Sequence, residues 1–271
     1  MLDIITLASK KTDNFFYMLV HNNTQAILID PIDATLAREE LEQRGLELVA
    51  IYNTHWHPDH VGGNAELREY APSCDVVVPE DEAARIEDLT GVKATRTITS
   101  KDTLDFGGST IKVHALPGHT MGHIAYEVEG HLFLGDVIFA GGVGHCKLGG
   151  DVDTLHNTIR HIVEDLDGDL IVHCGHNYVQ KNVQFALQFE PDHAGLQTQL
   201  ERAKQAEPRT IRATTIKEER SYNPFLRTDE ATLIEALKSY QGGSPWQSYD
   251  KDGIDDSQHA FLMLRGLRDH Y

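Results

Sequence analysis

Two hydrophobic patterns alternate along the first part of the chain. Apolar runs at residues 15–20 and 26–29 predict two strands, and the turn-forming pair Asn22-Asn23 between them indicates a hairpin. Residues 34–44 instead show the apolar spacing of an amphipathic helix, which Gly45 would end. Further apolar runs predict strands over residues 49–52, 76–78, 111–116, 131–134 and 170–172. Strands interleaved with helices indicate an α/β layered fold.

The pattern changes after about residue 177, where helical periodicity takes over. It predicts helices over residues 177–189, 194–206, 229–240 and 257–269. Residues 241–256 are rich in Gly, Ser and Asp, which is typical of a surface loop. We therefore expect a main α/β domain over residues 1–176 and a helical C-terminal domain over residues 177–271.

Composition and charge restrict the possible partners. The chain is 40% hydrophobic and 24% charged, close to the usual values for globular proteins. Its net charge of −18 argues against nucleic acid or an anionic membrane as partner, so an anionic small-molecule substrate would need a local cationic pocket. Residues 1–5 show no basic or apolar targeting pattern, and no 18-residue apolar run occurs. We therefore expect a cytoplasmic protein. Its three cysteines, Cys74, Cys146 and Cys174, are too scattered for a disulfide framework and are expected to be reduced.

The most informative segment follows the strand predicted over residues 49–52. Residues 54–60 read THWHPDH. In extended backbone, residues i and i+2 share a face, so His55 and His57 can bind one metal ion together. Pro58 then turns the chain, so Asp59 and His60 can point to a second position. Although 16 histidines make a chance cluster of surface rings conceivable, four candidate ligands within six residues favour a metal site.

Three other predicted strands also lead into potential ligands. They are followed by Gly118-His119, Gly135-Asp136 and Gly175-His176. The C-terminal ends of strands are where α/β folds place their sites, and a preceding glycine lets a ligand approach closely. Two metals need about six or seven protein ligands, one of them bridging. We expect one metal at His55, His57 and His119, a second at Asp59, His60 and His176, and Asp136 between them.

This set of motifs resembles the metallo-β-lactamase superfamily. The resemblance rests on residues 55–60, Gly118-His119-Thr120, Gly135-Asp136 and Gly175-His176. It implies a four-layer αββα sandwich, with residues 1–176 as the catalytic domain. Because the superfamily includes lactamases, lactonases, nucleases, thioesterases and oxygenases, this resemblance alone does not determine the substrate.

Segments outside these motifs resemble glyoxalase II, the hydroxyacylglutathione hydrolases. They are residues 12–14 (TDN), 174–178 (CGHNY), 222–227 (YNPFLR) and 265–271 (RGLRDHY). The last two lie in the helical region, which most other superfamily members lack. The resemblance implies that residues 177–271 form a substrate-binding domain, in which Tyr178, Arg265 and Arg268 contact the glutathione part of the substrate.

The loop after Asp136 departs from that family's pattern. Residues 142–148 read GVGHCKL, so His145 stands where the family usually has a lysine and Lys147 where it has an aromatic residue. These family residues help to hold the glycine carboxylate of glutathione. We expect His145 and Lys147 to contact substrate with weakened binding, and we interpret Cys146 as a bystander thiol.

The resemblance implies an enzyme that hydrolyses S-D-lactoylglutathione to D-lactate and glutathione. The expected cofactors are two divalent metals, most simply Zn²⁺, with iron or manganese as alternatives, and the expected catalytic residues are Asp59 and Asp136. Water activated at the metals would attack the thioester, whose thiol has a pKa of about 8.5 and can leave as thiolate. Two alternatives stay open: a hydrolase of this fold acting on another thioester or a lactone, and a persulfide dioxygenase with one iron. The sequence leaves the oligomeric state open.

Overall fold

Two layers of sheet form the centre of the protein. The computed structural model describes residues 1–207, 209–242 and 244–271, and within these ranges it contains two six-stranded sheets. The first follows chain order: β1 (Asp3–Ala8), β2 (Phe15–His21), β3 (Gln25–Ile29), β4 (Glu47–Tyr52), β5 (Asp75–Pro79) and β6 (Arg96–Ile98). Strands β1 to β3 pair antiparallel and β3 to β6 pair parallel.

The second sheet brings together strands from both parts of the chain. Its order is β14 (Thr214–Thr215), β13 (Ile171–Cys174), β10 (His131–Gly135), β9 (Ile124–Val128), β8 (Ser109–Ala115) and β7 (Thr103–Phe106). A short hairpin, β11 (Ile138–Phe139) and β12 (Gly142–Val143), follows β10. Because β14 pairs with β13, the C-terminal region supplies an edge strand to this sheet.

Strand β2 shows why the central strands are continuously apolar. Alternate residues point to opposite faces of a sheet. Phe16 and Met18 pack under helix α1 (Ala34–Arg44), whereas Tyr17 faces the second sheet and contacts Phe133 with ring centroids 5.2 Å apart. Both faces of this strand are therefore buried, and an apolar run rather than an alternating pattern results.

Local signals account for the first hairpin and helix. Asn22 and Asn23 have φ values of 50° and 54°, a conformation that asparagine tolerates better than most residues. The Asp33 side chain accepts a hydrogen bond from Leu36 N at the start of α1, and Gly45 ends the helix with a φ of 65°. The predicted hairpin and helix are both confirmed.

Helices cover the outer faces of both sheets. On the first sheet lie α1, α2 (Pro58–Val61), α3 (Asn64–Tyr70) and α4 (Ala83–Thr90), which is preceded by a 3₁₀ turn at Glu80–Glu82. On the second lies α5 (Val152–Asp165), where Leu155, Ile159 and Ile162 form one apolar face against Leu132 and Leu134. The layer order is α, β, β, α, which confirms the predicted sandwich.

The C-terminal region packs onto the same core. It contains α6 (Val179–Ala186), α7 (Ala194–Gln205), α8 (Ile216–Arg220), α9 (Ala231–Ser239), α10 (Asp256–Arg268) and 3₁₀ turns at Pro224–Leu226 and Trp246–Tyr249. Buried Phe225 and Phe261 share a cluster with Leu132 of the second sheet. The predicted helices are confirmed, although α6 is shorter than residues 177–189. The predicted loop over residues 241–256 contains a 3₁₀ turn, and Gly243 lies outside the described residues. Within the described residues, no helix has the length and apolar character needed to span a membrane.

A buried histidine in β13 should make the fold sensitive to acid. His173 stacks on Phe133, with ring centroids 4.6 Å apart, and burial lowers its pKa to about 3. An unfolded histidine titrates near pH 6.5, so between the two values the unfolded chain binds more protons. The contribution of His173 is fully present above about pH 6.5 and is lost as the pH falls towards 3.

Replacing this ring should remove that part of the pH dependence. Between pH 7.5 and pH 5, we expect the His173→Phe variant to lose about 2 kcal/mol less unfolding free energy than the unsubstituted chain. Urea unfolding of metal-free protein at both pH values measures the difference. Equal losses in the two proteins would show that His173 is not buried in its neutral form.

Candidate metal centre

The seven predicted metal ligands meet at one edge of the two sheets. Each follows a strand: β4, β8, β10 or β13. Six of them are buried, and the Asp59 side chain is about 40% exposed. The structure thus brings together residues that are spread from position 55 to position 176 of the chain: His55, His57, Asp59, His60, His119, Asp136 and His176.

Three imidazole rings form the first cluster. His57 Nδ1 lies 3.1 Å from His55 Nε2 and 2.9 Å from His119 Nε2. In His57 and His119, the ring nitrogen that faces away from the cluster donates to a backbone carbonyl. His57 Nε2 donates to the Leu148 carbonyl at 3.0 Å, and His119 Nδ1 donates to the His145 carbonyl at 2.6 Å. The facing nitrogens of these two rings are therefore unprotonated and present lone pairs to a common point.

The third ring of this cluster is oriented through Thr54 and Asp30. Thr54 Oγ1 donates its proton to Asp30 Oδ2 at 2.6 Å, so it accepts from His55 Nδ1 at 2.9 Å. His55 Nε2 is then unprotonated as well. Burial lowers the pKa of His55 and also that of His119, the latter to about 4, so both rings are neutral near pH 7. Three converging lone pairs repel one another unless a cation lies between them.

A second cluster lies beside the first. Asp59 Oδ2 is 3.2 Å from His176 Nε2 and 3.9 Å from His60 Nε2. The Asn14 amide donates to Asp59 Oδ2 at 3.0 Å and orients that carboxylate. His60 Nδ1 donates to Asp30 Oδ2 at 2.9 Å, so its Nε2 faces the cluster.

Asp136 lies between the two clusters. Its carboxylate oxygens are 3.3 Å from His60 Nε2, 3.5 Å from His176 Nε2 and 3.7 Å from His119 Nε2. Burial opposes its ionisation, but His60 and His176 hold the pKa of Asp136 well below its usual range. Asp136 Oδ1 and His60 Nε2 are buried and have no hydrogen-bond partner among the described residues. Such atoms normally have a partner, so this donor set of imidazoles and carboxylates is suited to bind divalent metal.

Comparison with known proteins agrees with this geometry. Residues 14–176 match the metallo-beta-lactamase superfamily, and residues 177–271 match the hydroxyacylglutathione hydrolase C-terminus. The hydroxyacylglutathione hydrolase of Gloeobacter violaceus is 36% identical over 264 residues, covering 96% of each chain. That of Chromohalobacter salexigens is 34% identical over 280 residues, covering all of both chains.

This chain belongs to the hydroxyacylglutathione hydrolase family. The predicted family is thereby confirmed. Solved structures of the same fold include the BLEG-1 B3 metallo-beta-lactamase, with 25% identity, a TM-score of 0.63 and coverage of 83% of this chain and 99% of that one. Another is ETHE1 from Myxococcus xanthus, with 22% identity, a TM-score of 0.64 and coverage of 90% and 93%.

Two buried carboxylates support the centre of this hydrolase family member, and neither was predicted from the sequence. Asp30 follows β3 directly and accepts from Thr54 and His60, as described above. Its position after a strand, like that of the other candidates, is a signal that could have found it. Glu82 accepts from Trp56 N at 2.9 Å and from Gly122 N at 2.8 Å, and so it joins the loop of His55 to that of His119. Glu82 ends the acidic run at residues 80–82, a pattern typical of solvent-exposed residues, so the sequence offers no such signal.

A cavity of about 440 Å³ borders the metal centre, and all five residues predicted to contact substrate line it: His145, Lys147, Tyr178, Arg265 and Arg268. Tyr178 stacks on His176, with ring centroids 4.9 Å apart. A larger cavity of about 590 Å³ shares Lys147 and Asp269 with the first cavity but is not lined by Phe139 or Tyr178, whose rings contact His176. The cavity that contains Tyr178 is therefore the one suited to a substrate.

The three arginine and lysine side chains among these five residues are already engaged within the protein. Arg265 is buried, and its guanidinium donates to the Val143 and Gly144 carbonyls at 2.8 and 3.2 Å and pairs with Asp269 at 2.9 Å. Lys147 Nζ donates to the Asp269 carbonyl at 3.0 Å. These contacts hold the 142–148 loop against α10. Arg268 donates to Asn182 Oδ1 through Nε and Nη2, at 3.3 and 3.1 Å.

Proposed function

We propose that this protein hydrolyses S-D-lactoylglutathione to D-lactate and glutathione at a centre of two divalent metals. One observation carries the proposal: two clusters of ligand atoms, with Asp136 between them, border a cavity lined by basic side chains in a chain of net charge −18. An anionic thiol carrier such as glutathione is attracted to such a cavity, whereas the rest of the acidic surface repels it.

The proposed ligands form two sets of three, joined by a bridging carboxylate. The first metal would be held by His55, His57 and His119, the second by Asp59, His60 and His176, and Asp136 would contact both. This mixture of imidazole and carboxylate suits Zn²⁺, and iron and manganese accept the same donors. When bound, the metals supply an activated water and polarise the thioester carbonyl.

Asp59 is proposed to act on the attacking water as well as to hold metal. Burial opposes its ionisation, but hydrogen bonds from His176 and Asn14 lower the pKa of Asp59 well below its usual range. The Asp59 carboxylate is therefore ionised near neutral pH and can accept a hydrogen bond from water. Its partial exposure places it where water can enter.

The leaving group needs no general acid from the protein. A thiol with a pKa of about 8.5 departs readily as thiolate near neutral pH. The nearby Cys146 takes no part in this scheme, because burial raises the pKa of its thiol to about 12 and keeps it protonated. We further propose that residues 177–271, which supply Tyr178 and Arg268, form the substrate-binding domain.

Metal content and thiol release test this function together. We expect the protein, purified without chelator, to contain nearly two equivalents of zinc, iron and manganese combined and to release glutathione from S-D-lactoylglutathione. Elemental analysis and a thiol-reactive dye measure these quantities. One equivalent of iron, with oxygen consumed in the presence of glutathione persulfide, would instead identify a dioxygenase. Release of thiol from other thioesters only, or opening of lactones only, would identify a hydrolase with a different substrate.

A further inference from the structure

The basic side chains of the substrate cavity differ in how much of their charge is available. Lys147, Lys181, Arg265 and Arg268 all line this cavity. The Asp269 carboxylate lies 2.9 Å from Arg265 and 3.7 Å from Lys147 Nζ, and these two cations also donate to backbone carbonyls. Moving either one to a ligand would break contacts that hold the loop, so both are positioning residues for that loop.

Lys181 lies on the same cavity wall and is uncommitted. It is exposed, and it forms no hydrogen bond or salt bridge with any residue that the structure describes. The two carboxylates of the cavity are directed elsewhere, since Asp13 lies 3.3 Å from His176 Nδ1 and Asp269 contacts Arg265 and Lys147. The ammonium group of Lys181 is therefore free to pair with a carboxylate that enters the cavity.

The position of Lys181 on α6 directs it towards the substrate. Lys181 follows Tyr178 by three residues, so the two side chains lie on the same face of the helix. They are about one turn apart, roughly 5 Å along the helix axis. Tyr178 stacks on His176 of the metal centre. A ligand that extends from the metals across the Tyr178 ring would therefore reach Lys181 with its distal end.

We propose that Lys181 binds a carboxylate at the distal end of the thiol part of the substrate and so sets the preference for anionic over uncharged thioesters. The proposal rests on the proposed function. It assigns carboxylate recognition to Lys181 together with Arg268, whereas Arg265 and Lys147 shape the loop. An ammonium with a flexible stem suits this role, because it can follow a mobile carboxylate without losing an internal partner.

Two thioesters that differ in charge test the proposal. S-D-lactoylglutathione carries carboxylates in its thiol part, whereas S-lactoyl-N-acetylcysteamine carries none. We expect Lys181→Met to raise KM for the glutathione thioester about tenfold and to leave kcat within about twofold, because the contact is the same in the ground and transition states. KM for the uncharged thioester should not change. The effect should shrink in 0.5 M salt, which screens an exposed ion pair.

A matched variant and a binding measurement complete the experiment. Lys217 is also exposed, and Lys217→Met changes the net charge equally but lies on α8, away from the cavity, so neither substrate should be affected. Calorimetry with S-methylglutathione, which cannot be hydrolysed, should show the same weakening for Lys181→Met. An unchanged KM for the glutathione thioester, or equal increases for both substrates, would overturn the proposed role of Lys181 but not the proposed function. No thiol release by the unsubstituted protein would overturn the proposed function itself.

Discussion

Replacing Asp136 with alanine is expected to lower kcat for the glutathione thioester by at least about a thousandfold. Asp136 is the carboxylate whose oxygens lie within 3.7 Å of ligand nitrogens from both clusters. Its loss removes a proposed ligand from both metals and leaves the like-charged ions without a bridge, so activation of water and polarisation of the carbonyl fail together. Turnover assays and elemental analysis of the same preparation measure the result.

The fold should survive this substitution. Asp136 lies in the turn after β10, and its Oδ1 has no hydrogen-bond partner among the described residues. Circular dichroism and thermal unfolding of metal-free protein check the fold. The control is Asp88→Ala, an exposed carboxylate on α4 that should leave activity unchanged. Near-normal kcat in Asp136→Ala would exclude the bridging role.

Adding a single methyl group at Gly175 is expected to lower kcat/KM by about a hundredfold and to reduce the metal content. A Cβ at this position would overlap Asp136 Oδ1 and lie 2.6 Å from His60 Cε1. The φ of Gly175 is not positive, so an alanine backbone is not strained there, and the effect is steric displacement of two proposed ligands. Metal sites tolerate displacements of only about 0.2 Å in their ligand distances.

Gly168→Ala provides a matched comparison for this effect. Gly168 also has no positive φ, and its Cβ would lie 3.4 Å from Lys217 Cβ, an ordinary contact. We expect this variant to keep both activity and metal. Metal titration followed by calorimetry compares the two variants. Full metal content and activity in Gly175→Ala would show that the centre accommodates the methyl group by moving.

Gly175 illustrates how much the sequence alone indicated about the packing of the metal centre. A glycine before each of three candidate ligands suggested close approach, and the structure shows what approaches Gly175: Asp136 and His60. The residue type was visible locally, whereas its neighbours come from other strands. Sequence therefore predicted that space was needed there, and only the folded chain shows for which atoms.

In the substrate cavity, by contrast, the sequence did not indicate which cation is available to a ligand. The sequence singled out Arg265 because the C-terminal segment resembles the family's motif, and Lys147 because it stands where the 142–148 loop of the family has an aromatic residue. Their side chains prove to be engaged with Asp269 and with backbone carbonyls, and Lys181, which no motif marks, has no such partner among the described residues. Which cation is available depends on neighbours up to 122 positions away, so no local pattern could reveal it.

By itself, the sequence determined the most apolar strands (β2, β3, β4, β5, β8, β10 and β13), the helix α1 and the identities of the candidate ligands. These features depend on short-range physics: periodic burial, the Gly45 cap, and the shared face of His55 and His57 in extended backbone. The tertiary structure alone decided which rings face one another, how Asp30 and Glu82 orient them, and which cavity cations stay uncommitted. Those outcomes require hydrogen bonds between distant segments, whose partners are chosen only when the two sheets pack together.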